Sequence, residues 1–173
     1  MSVPATVTLL ILDVDGVLTD GSIVYDDRGA ETKAFNVRDG FGVRLWREAG
    51  GACAIVTSRG GEAVRRRAAE LGIDPVIEGT PAKGDAVHEV CRRTGIPPDR
   101  AAYLADDWPD LPAMRLVAYP MAVADADPRV LERARFVTRA PGGRGAVREA
   151  VEHLLEARDA LTHHLRRYDG TQA

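Results

Sequence analysis

The chain is poor in cysteine, with only Cys53 and Cys91 among 173 residues. No Cys-x-x-Cys pair occurs, so a zinc or disulfide framework is not expected, and both thiols are read as reduced interior residues. No apolar run approaches the roughly 18–20 residues that a membrane span needs. Charge of one sign is also lacking. With 23 basic against 26 acidic side chains and a net charge of −3, there is no general basic surface for nucleic acid. No internal repeat, low-complexity tract or long linker divides the text. The opening MSVPATVTLLILDVDG has no basic segment before its apolar run, which ends in carboxylates. It reads as a first strand, not a signal peptide, and the cytoplasm is the expected compartment.

What is present suits one folded domain. Hydrophobic residues make up 45% of the chain, and at this length about two-thirds of the unfolded surface can be buried. Short β-rich runs alternate with helical stretches. Val7–Val14, Ala52–Thr57 and Ala101–Ala105 are near-continuous apolar runs, the mark of strands covered on both faces. Shorter strands are expected at Pro75–Ile77, Tyr119–Val123 and Ala134–Val137. Helices are expected over Asp39–Gly50, Glu62–Leu71 and Lys83–Thr94, around Leu111–Leu116, and from Arg144 or Gly145 to Arg158. Ser22–Tyr25 and Thr32–Asn36 flank Asp26-Asp27-Arg28-Gly29 and predict a β-hairpin. This alternation predicts an α/β fold with a doubly wound, Rossmann-like parallel sheet and right-handed crossovers. The expected division is a domain over 1–158, with its hairpin at about 22–36, and a tail over 159–173, either disordered or folded over a neighbour's site. His163 and His164 in that tail are read as surface residues, and Arg65-Arg66-Arg67 as a solvated helix face paired with Glu62 and Glu70.

Ligands of such folds bind outside the carboxyl ends of the strands. The first apolar run ends in Asp13-Val14-Asp15-Gly16, the second in Thr57-Ser58-Arg59, and the third in Ala105-Asp106-Asp107 with Asp110 close behind. Lys83 opens the helix before the third run. Carboxylates crowded on one rim repel one another strongly. A hard divalent cation with oxygen ligands relieves this, and Mg²⁺ commonly combines one or two carboxylates with substrate phosphate. A hydroxyl and an ammonium beside the cation form a phosphate cradle. The constellation points to phosphoryl transfer.

Asp13-Val14-Asp15-Gly16-Val17-Leu18-Thr19-Asp20 resembles D-x-D-G-x-x-x-D, the first motif of the haloacid dehalogenase superfamily phosphatases. Thr57, Lys83 and Asp106-Asp107-x-x-Asp110 match the other three motifs in order. The resemblance extends to capless sugar-acid phosphatases of the 3-deoxy-manno-octulosonate 8-phosphate type. Asn36-Val37-Arg38-Asp39-Gly40-Phe41-Gly42, Ala122–Ala126 and Gly142-Gly143-Arg144-Gly145-Ala146-Val147-Arg148-Glu149 have counterparts there. The similarity spans about residues 7 to 155.

This resemblance implies a Mg²⁺-dependent phosphomonoesterase. Asp13 is the implied nucleophile, giving an aspartyl-phosphate. Asp15 is the implied general acid and base, with its backbone carbonyl on the metal. Asp13, Asp15 and Asp106 form the implied metal set, and Asp107 or Asp110 orients a metal-bound water or Lys83. Thr57 and Lys83 hold the phosphoryl oxygens, with Ser58 beside them. Arg38, Arg59 and Arg144 are candidates for the carboxylate of the sugar acid, which suits a bidentate arginine. The implied substrate is a phosphorylated keto sugar acid, foremost 3-deoxy-manno-octulosonate 8-phosphate, with nine-carbon sialic-type 9-phosphates as the nearest competitor. Only about 40 residues separate the first two motifs, too few for a separate cap domain. In the resembled family a homotetramer supplies the missing cover, the hairpin of one subunit helping to close a neighbour's site. One departure stands out: the family carries glycine before its acidic pair, and this chain has Ala105. A displaced metal loop would favour a weakly active module that oligomerises with or regulates a sugar-activating partner. A phosphomutase is a third reading, against which the missing cap argues.

Overall fold

The computed structural model describes residues 3–170. A short helix α1 (Val3–Thr6) precedes β1 (Leu9–Leu12), whose four residues are all buried. The hairpin strands β2 (Val24–Tyr25) and β3 (Glu31–Thr32) follow, then α2 (Val37–Glu48), β4 (Ala52–Val56), α3 (Glu62–Leu71), β5 (Val76–Ile77) and α4 (Lys83–Thr94). The second half contains β6 (Ala101–Ala105), α5 (Leu111–Met114), β7 (Tyr119–Ala122), α6 (Pro128–Leu131), β8 (Phe136–Val137), α7 (Ala146–Ala157) and α8 (Leu161–Tyr168). Six strands form one sheet in the order β5-β4-β1-β6-β7-β8, with every pairing parallel. Helices cover both faces, so the inner strands carry apolar residues on both sides and read as unbroken runs. The doubly wound α/β sheet expected from the alternation is the observed fold. Nothing larger than the hairpin and α2 is inserted between β1 and β4.

The register decides where the chemistry sits. Leu12 of β1 pairs with Ile55 of β4 and with Leu104 of β6, so all three strands end at one level. The Asp13 amide extends the ladder by donating to the Leu104 carbonyl at 3.3 Å. Residues 13, 57 and 106 therefore emerge side by side at the carboxyl edge, where the chain order reverses direction from β1.

Two segments singled out in the sequence stitch α2 to α7. Asn36 caps α2 by accepting from the Arg38 amide at 2.8 Å, and its own amide donates to the Gly143 carbonyl at 3.2 Å. Asp39 is buried and accepts from the amides of Gly145 at 3.1 Å and Arg148 at 2.9 Å. A carboxylate is thus delivered from another helix to the positive start of α7, where free N–H groups need acceptors.

Several boundaries differ from expectation. Helix α2 begins at Val37 instead of Asp39, because the Asn36 cap lies further upstream. The hairpin ladder is only two pairs long, Val24 with Thr32 and Tyr25 with Glu31. The tail forms helix α8, with His164 buried against the body and not on the surface, while His163 is exposed. Residues 171–173 of the tail lie outside the described residues. Cys53 is buried and Cys91 half-buried, both as free thiols. Arg65 and Arg67 pair with Glu62 and Glu70 at 3.4 and 3.2 Å, as the helix-face reading expects.

Candidate active site

A cavity of about 280 Å³ opens at the carboxyl edge of the sheet. Nine of the residues singled out by sequence line it: Asp13, Asp15, Thr57, Ser58, Arg59, Lys83, Asp106, Asp107 and Asp110. Arg38 and Arg144 do not. The Arg38 side chain is solvent-exposed at the start of α2, and the Arg144 side chain, 68% exposed, lies 3.5 Å from Asp20.

Asp13 and Lys83 form the floor. Lys83 Nζ lies 2.8 Å from Asp13 Oδ2 and donates to Asp110 Oδ1 at 2.6 Å. Burial opposes the ammonium, but Asp13 and Asp110 together hold its pKa above the ordinary lysine value. Asp110 is fully engaged: Oδ1 also accepts from the Tyr103 hydroxyl at 2.7 Å, and Oδ2 takes the amide of Asp106 at 3.2 Å. It is therefore a bracket that ties Lys83 to the loop after β6. Thr57 is also buried, its hydroxyl donating to the Arg59 carbonyl at 2.9 Å and accepting from the Arg59 amide at 3.2 Å. Asp107 caps the 3₁₀ turn Trp108–Asp110 by accepting from the Trp108 amide at 2.8 Å.

Oxygens of Asp13, Asp106 and Asp110 lie within 4.8 Å of one another, the one such acidic group among the described residues. Asp13 Oδ1 is buried and has no hydrogen-bond partner among the described residues. Burial, then the charge of Asp110, pushes the Asp13 pKa up to about 6 despite Lys83. Burial, then Asp13 and Asp110, pushes Asp106 up to about 8. Five carboxylates line the cavity against Arg59 and Lys83, so the ionised state lacks positive charge. A divalent cation held by oxygen supplies what the donor set is missing. Since Asp110 has no free oxygen for it, Asp13 and Asp106 are the side chains left to hold such an ion. The Asp15 carboxyl stands apart from this trio and is turned to Lys33, whose Nζ donates to Asp15 Oδ1 at 2.5 Å.

Two glycines set the loop geometry. Gly16 has φ +84°, and a Cβ there would lie 2.0 Å from Asp106 Oδ2. A Cβ on Gly142 would lie 1.7 Å from the Gly16 carbonyl oxygen, so the glycine-rich turn before α7 supports the Asp15 loop from behind. Ala105, which replaces the family's glycine, is an ordinary buried strand residue paired with Ala122 and has no positive φ. The alanine methyl therefore imposes no backbone strain on the loop that follows β6.

Sequence reasoning missed Lys33, Glu31 and Tyr103. Lys33 and Glu31 lie within or beside the expected hairpin and Tyr103 within an expected buried strand, with no motif to single them out. The one available signal was a lysine between Thr32 and Ala34 in an expected hairpin strand.

Comparison with known proteins bears on this geometry. The family model of haloacid dehalogenase-like hydrolases matches residues 76–150. The chain is 45% identical over 161 residues to the 3-deoxy-D-manno-octulosonate 8-phosphate phosphatase KdsC of Escherichia coli (strain B / BL21-DE3), covering 93% of this chain and 86% of that protein. The crystal structure of the Yersinia pestis phosphatase of that name superposes with a TM-score of 0.90 at 44% identity, covering 92% of this chain and 86% of that one. The Moraxella catarrhalis phosphatase, solved with a magnesium ion, a phosphate ion and a KDO molecule, superposes with a TM-score of 0.93 at 36% identity, covering 96% and 95%. With identity at this level along nearly its whole length, and with the acidic rim formed by residues on adjoining strand ends, the chain belongs to the KdsC family of haloacid dehalogenase-like phosphatases.

Proposed function

We propose that the protein hydrolyses the phosphomonoester of 3-deoxy-D-manno-octulosonate 8-phosphate, through an aspartyl-phosphate on Asp13. The observation that carries the reading is the divided state of the Asp13 carboxyl. One oxygen is held by Lys83, and the other is buried and unpartnered beside Asp106. In this reading an Asp13 oxygen attacks phosphorus as the bond from phosphorus to the sugar oxygen breaks. Asp15 gives its proton to the departing alkoxide. Water then attacks the aspartyl-phosphate, Asp15 takes back a proton, and inorganic phosphate leaves with Asp13 restored. Lys83 and the Thr57 hydroxyl hold the phosphoryl oxygens, and Asp110 keeps the ammonium aimed at them. Asp13 and Asp106 side chains, with the Asp15 backbone carbonyl, would hold Mg²⁺, whose positive charge offsets that of the carboxylates and the phosphoryl group.

Arg59, at the cavity wall, is the reading's choice for the substrate carboxylate over Arg38 and Arg144, which lie outside the cavity. Among the described residues the site has no cap, and Ile23, Val24 and Tyr25 on the hairpin are each about half exposed. Exposed apolar surface on a short ladder favours burial against other copies. The reading takes the cover to come from neighbouring copies in a homotetramer, as in the resembled family, and the cytoplasm as compartment. Among the described residues no helix is long and apolar enough to cross a membrane.

The test is phosphate release from a panel of eight- and nine-carbon sugar-acid phosphates and hexose phosphates, with and without Mg²⁺. The eight-carbon acid should turn over fastest and Asp13→Asn should abolish turnover. Preference for a nine-carbon acid would reassign the substrate, and equal rates in Asp13→Asn would refute the nucleophile.

A further inference from the structure

The groups that hold the Asp15 carboxyl come from outside its own loop. Lys33 Nζ donates to Asp15 Oδ1, and the Lys33 side chain is only 3% exposed. The same ammonium lies 2.8 Å from Glu31 Oε1, and Glu31 Oε2 accepts from Arg59 Nη2 at 2.9 Å. Arg59 closes the circuit, its Nε 3.9 Å from Asp15 Oδ2 and its Nη2 donating to the Tyr25 hydroxyl at 3.3 Å. Asp15, Lys33, Glu31 and Arg59 thus form a ring of alternating charge that joins the hairpin to the ends of β1 and β4. Asp15 Oδ2 and Arg59 Nε are buried without a hydrogen-bond partner among the described residues, so this corner of the ring is unfinished.

Resting on the phosphatase reading, we propose that Lys33 and Glu31 are positioning residues that couple recognition of the substrate's carboxylate to the aim of Asp15. Lys33 pins one Asp15 oxygen and leaves Oδ2 as the one that takes up a proton from solvent, passes it to the leaving oxygen and regains one from the attacking water. Glu31 occupies the place on Arg59 that the substrate's carboxylate takes. A guanidinium carries five donors in a planar fork, and carboxylate pairing uses two of them. Both bidentate edges of the fork include Nη2, which Glu31 and Tyr25 already engage, so an arriving bidentate carboxylate competes with Glu31 directly. A substrate without one leaves Glu31 on Arg59.

The experiment compares kcat/KM for 3-deoxy-D-manno-octulosonate 8-phosphate with that for p-nitrophenyl phosphate, in wild type, Lys33→Met, Lys33→Arg and Glu31→Gln. For a phosphoenzyme route kcat/KM reports steps up to leaving-group departure. A nitrophenolate departs without a proton, whereas a sugar alkoxide needs one. Lys33→Met should lose at least about tenfold more kcat/KM on the sugar phosphate than on the aryl phosphate, and Lys33→Arg should recover most of that difference. Glu31→Gln should lower KM for the carboxylated substrate about two- to fivefold, with no such fall for the aryl phosphate. Equal losses on both substrates in Lys33→Met overturn the positioning role, since general damage to the fold spares neither. An unchanged or raised KM in Glu31→Gln overturns the exchange of carboxylates. A wild-type protein that releases phosphate from neither substrate would instead sink the phosphatase reading itself.

Discussion

Replacing Gly16 with alanine tests the geometry of the acidic rim more sharply than removing any carboxylate. Two costs arise from one methyl group. The first is conformational: φ at +84° is a region where an L side chain costs about 1–2 kcal/mol. For a chain of this size that corresponds to a fall in Tm of roughly 2–8 °C. The second is local: the new Cβ would stand 2.0 Å from Asp106 Oδ2, against the 3.0 Å below which real contacts essentially never fall, so Asp106 has to retreat by about 1 Å or more. Mg²⁺ demands near-ideal octahedral geometry at about 2.0–2.1 Å, and a ligand displaced by half that distance is lost. An error of about 1 Å in a reacting group can cost on the order of a hundredfold in rate. Gly16→Ala should therefore raise the Mg²⁺ concentration at half-maximal activity by at least about tenfold and lower kcat/KM at limiting Mg²⁺ by about a hundredfold. The assay is phosphate release across a Mg²⁺ titration, with thermal unfolding alongside. A variant with the wild-type Mg²⁺ dependence would show that Asp106 does not hold the ion.

Asp39→Ala removes the acceptor at the start of α7 and should cost about 0.5–2 kcal/mol, read as a lowered Tm with the Mg²⁺ dependence intact. Ala105→Gly should leave turnover unchanged and cost about 0.5–1 kcal/mol, because the residue sits in a regular strand where glycine adds only unfolded-state entropy; a sharp loss of activity would mean that its methyl group supports the metal loop. The pH dependence of the metal-free protein follows from Asp13 and Asp106, with folded pKa values raised to about 6 and about 8 from 3.8. The folded state binds more protons than the unfolded one between these limits, so this contribution to stability is full below about pH 4 and is lost as pH rises towards 8. Mg²⁺ competes with those protons, so the Tm gain on adding Mg²⁺ should grow from pH 5 to pH 8; a gain that shrinks over that interval refutes the assignment.

Much of this protein is determined by the linear order of its residues. Near-continuous apolar runs at 7–14, 52–57 and 101–105 read as strands buried on both faces, and helices between them favour parallel crossovers. Acidic and hydroxyl residues directly after those runs then share one edge, so Asp13, Thr57 and Asp106 were legible as neighbours. Local chemistry set most element ends, yet α2 began earlier than its periodicity suggested because a cap residue outweighs the first apolar position. What the tertiary structure alone decided concerns long side chains and distant acceptors. Whether Arg38, Arg59 or Arg144 enters the cavity depends on the direction of a flexible stem, and only Arg59 does. Lys33 reaches Asp15 across 18 residues because the hairpin folds back over the β1 turn. Asp39 finds its amides 106 and 109 residues away. Periodicity and strand order fix where a backbone runs, but charge pairing between separate elements forms only once packing has brought them within a few ångströms.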